Sequence, residues 1–350
     1  MPTLPHARAG RVLFAILLLT IFTKASQAEK SWNQWRGPGR DAVAEETGLL
    51  ENWQSQKPEL LWTAEGLGRG YASVSIEGST LYTTGNLNDA QCVVAVDTRE
   101  GRVLWSTPIT ERNPKHGYEG SRCTPSIDGD RLYAISSNGG IHCLNRETGE
   151  VVWSRSFSDS WKGKMHSGWG FSESPLVDGD WVLCTPGGPS AMLVALNKMT
   201  GEQIWACEAP RFGAEKGANG KGISTGAGYS SIVVSHGAGV KQYVQLVGEG
   251  VIGVRAEDGK FLWGYGGVAN GTANIPTCIV IDDYVFSSSG YGTGAALLKL
   301  SAEGEGVNAE EAYFLDAKTF ENHHGGMVRL GDYIYAGHKH NNGFPICLEW

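Results

Sequence analysis

The chain has 350 residues, of which 19% are charged, and a formal net charge of −8 at pH 7. That acidic balance argues against nucleic acid or an anionic membrane surface as partner, since both recruit surplus cations. The 49 glycines suit a fold with many hairpins whose turns need positive φ.

Arg8 and Arg11 precede an apolar run, Val12 to Phe22, that is too short to span a bilayer, and Ser26-Gln-Ala28 supplies small residues for cleavage. Residues 1–28 therefore read as a secretory signal peptide, and the mature chain as exported, to periplasm or beyond. Its charge is then about −11, and no later segment is expected to insert into a membrane. The first cysteine is Cys92, which disfavours a lipid anchor at the cleavage site. The seven cysteines are odd in number, none are adjacent, and none form CxxC, so they read as buried thiols rather than a disulfide framework. Absence of CxxCH excludes a covalently held c-type haem within this chain.

Residues 29–58 read as an irregular, polar lead-in containing Trp35-Arg-Gly-Pro-Gly-Arg-Asp41, packed over the domain by Trp32, Trp35 and Trp53. Leu60-Leu-Trp62-Thr63 then reads as a lone outer strand. From residue 59 to 350 the chain is organised by a repeat, seen at Ala95–Trp105, Cys143–Trp153, Ala195–Trp205 and Gly253–Trp263. Each copy has a small residue first, Gly six positions later and Trp four after that. The segment before Gly alternates as a half-buried strand should, the Gly marks a tight turn, and a short strand ends on Trp.

Between copies lies a second hairpin with its own turn, such as Asp128-Gly-Asp130 or Asp178-Gly-Asp180. Four short strands recurring every ~50 residues predict a β-propeller of antiparallel blades. The blades are expected from about Tyr71, Ser121, Phe171, Gly228, Asn274 and His324. The fifth is degenerate, with Glu303-Gly-Glu-Gly306 making a longer turn, and the sixth stops before its fourth strand. Six-bladed closure would pair Leu60–Thr63 with Pro345–Glu349.

The repeat resembles the pyrroloquinoline-quinone-type propeller repeat of quinoprotein dehydrogenases and BamB-like outer-membrane assembly factors. Closer likeness to a group of exported bacterial proteins is carried by Trp35-Arg-Gly-Pro38, Gly168-Trp-Gly-Phe-Ser-Glu-Ser-Pro175, Ala269-Asn-Gly-Thr-Ala-Asn-Ile-Pro276 and Asn322-His-His-Gly-Gly326. Such propellers have seven or eight blades, so the resemblance implies further blades beyond those present, with six-bladed closure as the alternative. It also implies that Trp62, Trp105, Trp153, Trp205 and Trp263 lock blade to blade. The quinoproteins hold their quinone near the propeller axis between a Trp and an adjacent-cysteine disulfide, with Ca2+ on Glu, Asn and Asp. No Cys-Cys pair occurs here, and no spacing makes Glu173 and Asn274 a Ca2+ site.

One further set shares a register. Arg122, Glu173, Tyr229, Asn274, His323 and His324 each precede an innermost strand, which places them around one mouth of the channel as a mixed-sign, polar ligand site. The competing reading is that they satisfy loop backbone and one another. His323, His324, His338 and His340 cluster within one blade, but no ligand frame such as HExxH marks a metal site, and none is expected. Phe212 to Gly222 reads as a glycine-rich loop over the mouth. Gly222-Ile-Ser224-Thr-Gly226 matches GxSxG in form only, because a blade strand rather than a helix follows.

The expected function is an exported, non-catalytic scaffold that binds a small polar ligand or a protein partner at the channel mouth, with no cofactor. Alternatives are a PQQ- and Ca2+-dependent alcohol or sugar dehydrogenase, and an extracellular carbohydrate- or peptide-binding module.

Overall fold

Each copy of the repeat folds as the third and fourth strands of a sheet, and the turn between them explains its spelling. In the computed structural model, which describes residues 31–218 and 220–350, the turn Gly N–H donates to the carbonyl four residues back: Gly101 to Asp97, Gly149 to Asn145 and Gly201 to Asn197, at 2.8–2.9 Å. The Asp or Asn at that position also accepts from a backbone N–H two residues on, as with Arg99 N to Asp97 Oδ1 at 2.8 Å and Glu147 N to Asn145 Oδ1 at 2.9 Å. The Gly is left-handed in all four copies, with φ between 69° and 75°. The predicted signal segment lies outside the described residues.

Among the described residues six antiparallel sheets result, five with four strands and the last with three. Their first strands are Ser75–Glu77, Ser126–Asp128, Leu176–Asp178, Val233–Ser235, Ile279–Ile281 and Val328–Leu330. These short strands approach one another around the axis, and the fourth strands lie outermost with alternately exposed side chains, as in Arg102–Pro108. The third strand of the first blade, Ala90–Asp97, is buried almost throughout rather than on alternate residues, because the second blade covers one face and Ala64 and Leu67 of the preceding segment cover the other.

The repeat tryptophans rivet blade to blade. A side-chain carbon at Gly101, Gly149, Gly201 or Gly259 would fall 2.5–2.7 Å from the indole of Trp62, Trp105, Trp153 or Trp205 respectively. Each indole thus seats on the turn of the following blade. Three also donate to a carbonyl there: Trp62 to Thr98 at 2.7 Å, Trp153 to Lys198 at 3.1 Å and Trp205 to Ala256 at 3.2 Å. Opposite Trp105 the equivalent carbonyl, of Arg146, receives the Tyr82 hydroxyl at 3.3 Å.

Trp263 departs from this pattern. Its N–H donates within its own blade to Gln242 Oε1 at 2.6 Å, and its ring lies over Gly253, where a side chain would collide with it. The next blade has no glycine turn to receive it. Gly294–Glu303 and Gly306–Asp316 instead form one long hairpin, closed by a tight turn at Gly304-Glu305 rather than the longer one expected.

The six-bladed closure by Leu60–Thr63 does not form. Leu60 and Leu61 are each 80% exposed and unpaired, and among the described residues Phe344–Glu349 pairs with Tyr333–His338 alone. Trp62 on Gly101, and the Arg69–Asn86 bridge, hold that segment against the first blade instead. All seven cysteines are free thiols, six of them buried.

The lead-in crosses the axis. Trp32 pairs with Ile76 in the first blade, Ile127 N donates to Asn33 O at 2.7 Å in the second, and Arg40 reaches the third through the Ser174 and Pro175 carbonyls at 2.7 and 2.9 Å. Arg36 bonds the Met327 carbonyl in the sixth. Trp53, expected to pack here, is 65% exposed and bonds only its own turn, at the Leu50 carbonyl.

Replacing Trp205 by Ala should cost about 3–5 kcal/mol through the cavity left between blades. Gly259→Ala, which deletes nothing, should also destabilise, through both its φ and its contact with Trp205. Urea midpoints unchanged in both variants would contradict the rivet.

Candidate binding cup

The residues just before the first strands do converge, but two of the expected six stand behind the wall rather than on it. Arg122, Tyr229, His323 and His324 line a cavity of about 700 Å3 at the axis. Trp35 and Arg36, from the lead-in, line it from the side of the first strands, which makes the channel mouth a cup. Trp169, Tyr118 and Tyr291 add aromatic wall, and Ser231 and Thr277 add hydroxyls.

Arg122 knits the rim. Its guanidinium donates to the carbonyls of Gly117, Tyr118, Gly120 and Trp169 at 2.5–3.3 Å, and lies over the Tyr71 ring at 5.4 Å. Partial burial lowers its pKa, but a guanidinium keeps its charge. Tyr229 Oη is 2.6 Å from Ser167 Oγ and accepts from Trp169 N at 3.3 Å, which fixes the Trp169 and Tyr229 rings edge to face at 6.0 Å.

Glu173 and Asn274 are architectural. Asn274 donates to the Val247 and Gly248 carbonyls at 3.0 and 2.9 Å and accepts from Asn270 N at 2.9 Å, so it fastens two loops. Glu173 is 3% exposed, and burial pushes its carboxyl up to about 8 despite the N–H of Thr185 at 2.8 Å and the charge of Arg40. The surrounding bonds agree. Thr185 Oγ1 lies between Glu173 Oε1 at 2.9 Å and Gln245 Oε1 at 2.5 Å, and one hydroxyl proton cannot serve both. A protonated Glu173 supplies the missing hydrogen. The cup is therefore not the mixed-sign mouth that an ionised Glu173 on the rim would have made.

His323 is 7% exposed and stacks on His324 with centroids 3.7 Å apart, while His340 is 4.1 Å away. Burial, then the neighbouring imidazoles, lower the His323 pKa to about 4. His338 and His340 do not share a face, because Lys339 takes φ 74° and turns His340 into the cup, while His338 stacks on Phe320. Among the described residues no group of three or more His, Cys, Asp or Glu is placed to hold a metal ion.

Tyr71 was legible but missed. Gly70-Tyr71-Ala-Ser73 stands before the first blade as Gly228-Tyr229-Ser-Ser231 stands before the fourth. Tyr291 and His340 come from the turns between second and third strands, outside that register, and Trp35 and Arg36 from outside the repeat altogether. The Phe212–Gly222 loop lies elsewhere, with Gly217 against Asn270. Ser224 commits its hydroxyl to the His166 carbonyl at 2.6 Å.

The donor set does not fit the quinone–Ca2+ pair of related propellers. Among the described residues no Asp or Glu lines the cup, Glu173 is buried behind it with its carboxyl pKa raised to about 8, and the Asn274 oxygen is held by backbone. A Ca2+ ion takes six to eight oxygen ligands, carboxylates prominent among them.

The blades around one axis define a β-propeller built on the pyrroloquinoline-quinone-type repeat. The family model described as outer membrane protein assembly factor BamB matches residues 89–349, and the chain belongs to that family. Outer membrane protein assembly factor BamB of Shewanella oneidensis is 31% identical over 124 residues, which are 33% of this chain and 31% of that protein. The same factor of Aliivibrio fischeri is 32% identical over 25% of this chain and 23% of its own length. The chain thus matches about a third or less of these curated relatives. Among solved structures, BamB from Moraxella catarrhalis superposes with a TM-score of 0.53 at 14% identity, over 79% of this chain and 72% of that one. Quinohemoprotein alcohol dehydrogenase from Comamonas testosteroni gives 0.52 at 14% identity, over 92% and 52%. Both likenesses are of fold.

Because folding raises the Glu173 pKa, the native state holds a proton that the unfolded chain gives up above about 4.5. Its contribution is complete below that value and is lost as pH rises through about 8. The melting temperature of Glu173→Gln relative to wild type should therefore climb between roughly pH 5 and pH 9. A pH-independent difference between the two would show that Glu173 is ionised in the fold.

Proposed function

We propose that this protein is an exported, non-catalytic binding propeller that takes a small polar ligand with flat ring faces into the axial cup. The cup itself carries the reading. At about 700 Å3 it has the size of a small-molecule site, and it sets aromatic faces beside hydroxyl, imidazole and guanidinium groups. Export is supported by the N-terminal pattern of residues 1–28. A redox role is not supported, since the oxygen ligands for Ca2+ and an adjacent-cysteine pair are both wanting.

Membership of a family described as an outer membrane assembly factor favours a second reading, in which a protein partner docks on the propeller. The two separate by titration. Isothermal calorimetry against neutral and acidic oligosaccharides and short peptides should show saturable binding, weakened at least roughly tenfold by Trp169→Ala with little change in melting temperature. Binding unaffected by both Trp169→Ala and Tyr71→Ala would move the function off the cup.

A further inference from the structure

We propose that the ligand of this cup is an acidic saccharide whose carboxylate is received by Arg36 and His323; this rests on the cup being a ligand site. The protein is acidic overall, yet its cup is lined by Arg36, Arg122, His323, His324 and His340 and by no Asp or Glu. The carboxylate behind the histidines, Glu321, accepts from the backbone N–H groups of Gly292 at 2.7 Å and His340 at 3.2 Å. The cup thus presents cations and neutral bases within a low-dielectric wall, with Asp41 acting on Arg36 from outside the lining, and this balance favours an anion.

The two arginines differ in what they offer. Arg122 has both terminal nitrogens on carbonyl oxygens. Arg36 uses Nη2 on the Asp41 and Met327 carbonyls, but its Nε is buried with no partner and its Nη1 lies against Gly326, beside the histidines. His323 is more than nine-tenths buried, and its ring nitrogens find no protein hydrogen bond beyond a side-chain contact with Asn341; the Nδ1 of His340 is unpartnered. Asn341 is the one neighbour that favours the charged form of His323. Buried polar groups left unpaired are costly and rare, so their gathering at one wall marks where an acceptor belongs. A carboxylate would complete them with charge-assisted bonds.

The rest of the cup suits a sugar better than a chain. Ser231 Oγ accepts from Ser174 N at 3.0 Å and Thr277 Oγ1 from Ser231 N at 3.1 Å, so each keeps a hydroxyl hydrogen to donate into the cup. Tyr71, Trp169 and Tyr229 offer faces for the C–H side of a pyranose. The lead-in, through Trp35 and Arg36, walls the side toward the first strands, and the remaining space has the size of a few sugar rings.

The test is calorimetry on the purified chain with a uronic-acid trisaccharide, its carboxyl-reduced neutral counterpart and an acidic tripeptide. The uronate should bind at least roughly tenfold more tightly than either. Its affinity, and not that of the neutral sugar, should rise as pH falls from about 7 to about 5, because the bound carboxylate raises the His323 pKa from its low value in the free cup. His323→Gln should abolish that pH dependence; Arg36→Lys, which keeps the charge but not the planar donors, should weaken the uronate alone. Equal binding of acidic and neutral sugars would overturn the acid site and leave the cup reading intact. Preference for the tripeptide would overturn the saccharide, and binding by none of the three would defeat both readings.

Discussion

A tryptophan seated on a glycine turn is the contact on which this molecule depends. It joins two requirements in one residue: the turn needs a left-handed backbone, and the indole needs the space a side chain would fill. Each blade buries little by itself, so blade-to-blade contact supplies most of the core. The third strands, covered on both faces, are the outcome. Where the glycine turn is missing, after Trp263, the indole turns back onto its own blade and Gly253 yields the room.

The axis is settled by a different segment. The lead-in has no repeat and no regular structure, yet Arg40 enters the core, bonded to the carbonyls of Ser174 and Pro175 and close enough to Glu173 to interact with it. Burial lowers the Arg40 pKa to about 10 while the Glu173 carboxyl opposes that shift. This segment turns an open channel into a cup and delivers Arg36 to its wall. A rigid repeat scaffold and an irregular insert thereby divide the labour between stability and recognition.

The propeller was legible because it is local and repeated. Glycine, Asp or Asn, and Trp at constant spacing specify a turn, its cap and the strand that follows, and four copies of one unit leave little freedom in fold class. Arg122, Tyr229, His323 and His324 were legible for the same reason, since a register maps onto a ring. The register could not tell a side chain that faces the cup from one that faces inward. Glu173 and Asn274 occupy the expected positions but turn to Thr185 and to loop carbonyls.

What the sequence determined by itself was therefore whatever rests on contacts within one repeat: six blades and the order of their strands. Only the tertiary structure decided the closure, the cup and its charge. The failure of Leu60–Thr63 to pair with the last strand, the path of Trp35 and Arg36 across the axis, and the raised pKa of Glu173 all depend on groups far apart in the chain. Burial and the hydrogen-bond partners available at each place set them, and neither quantity exists until the blades have come together around one axis.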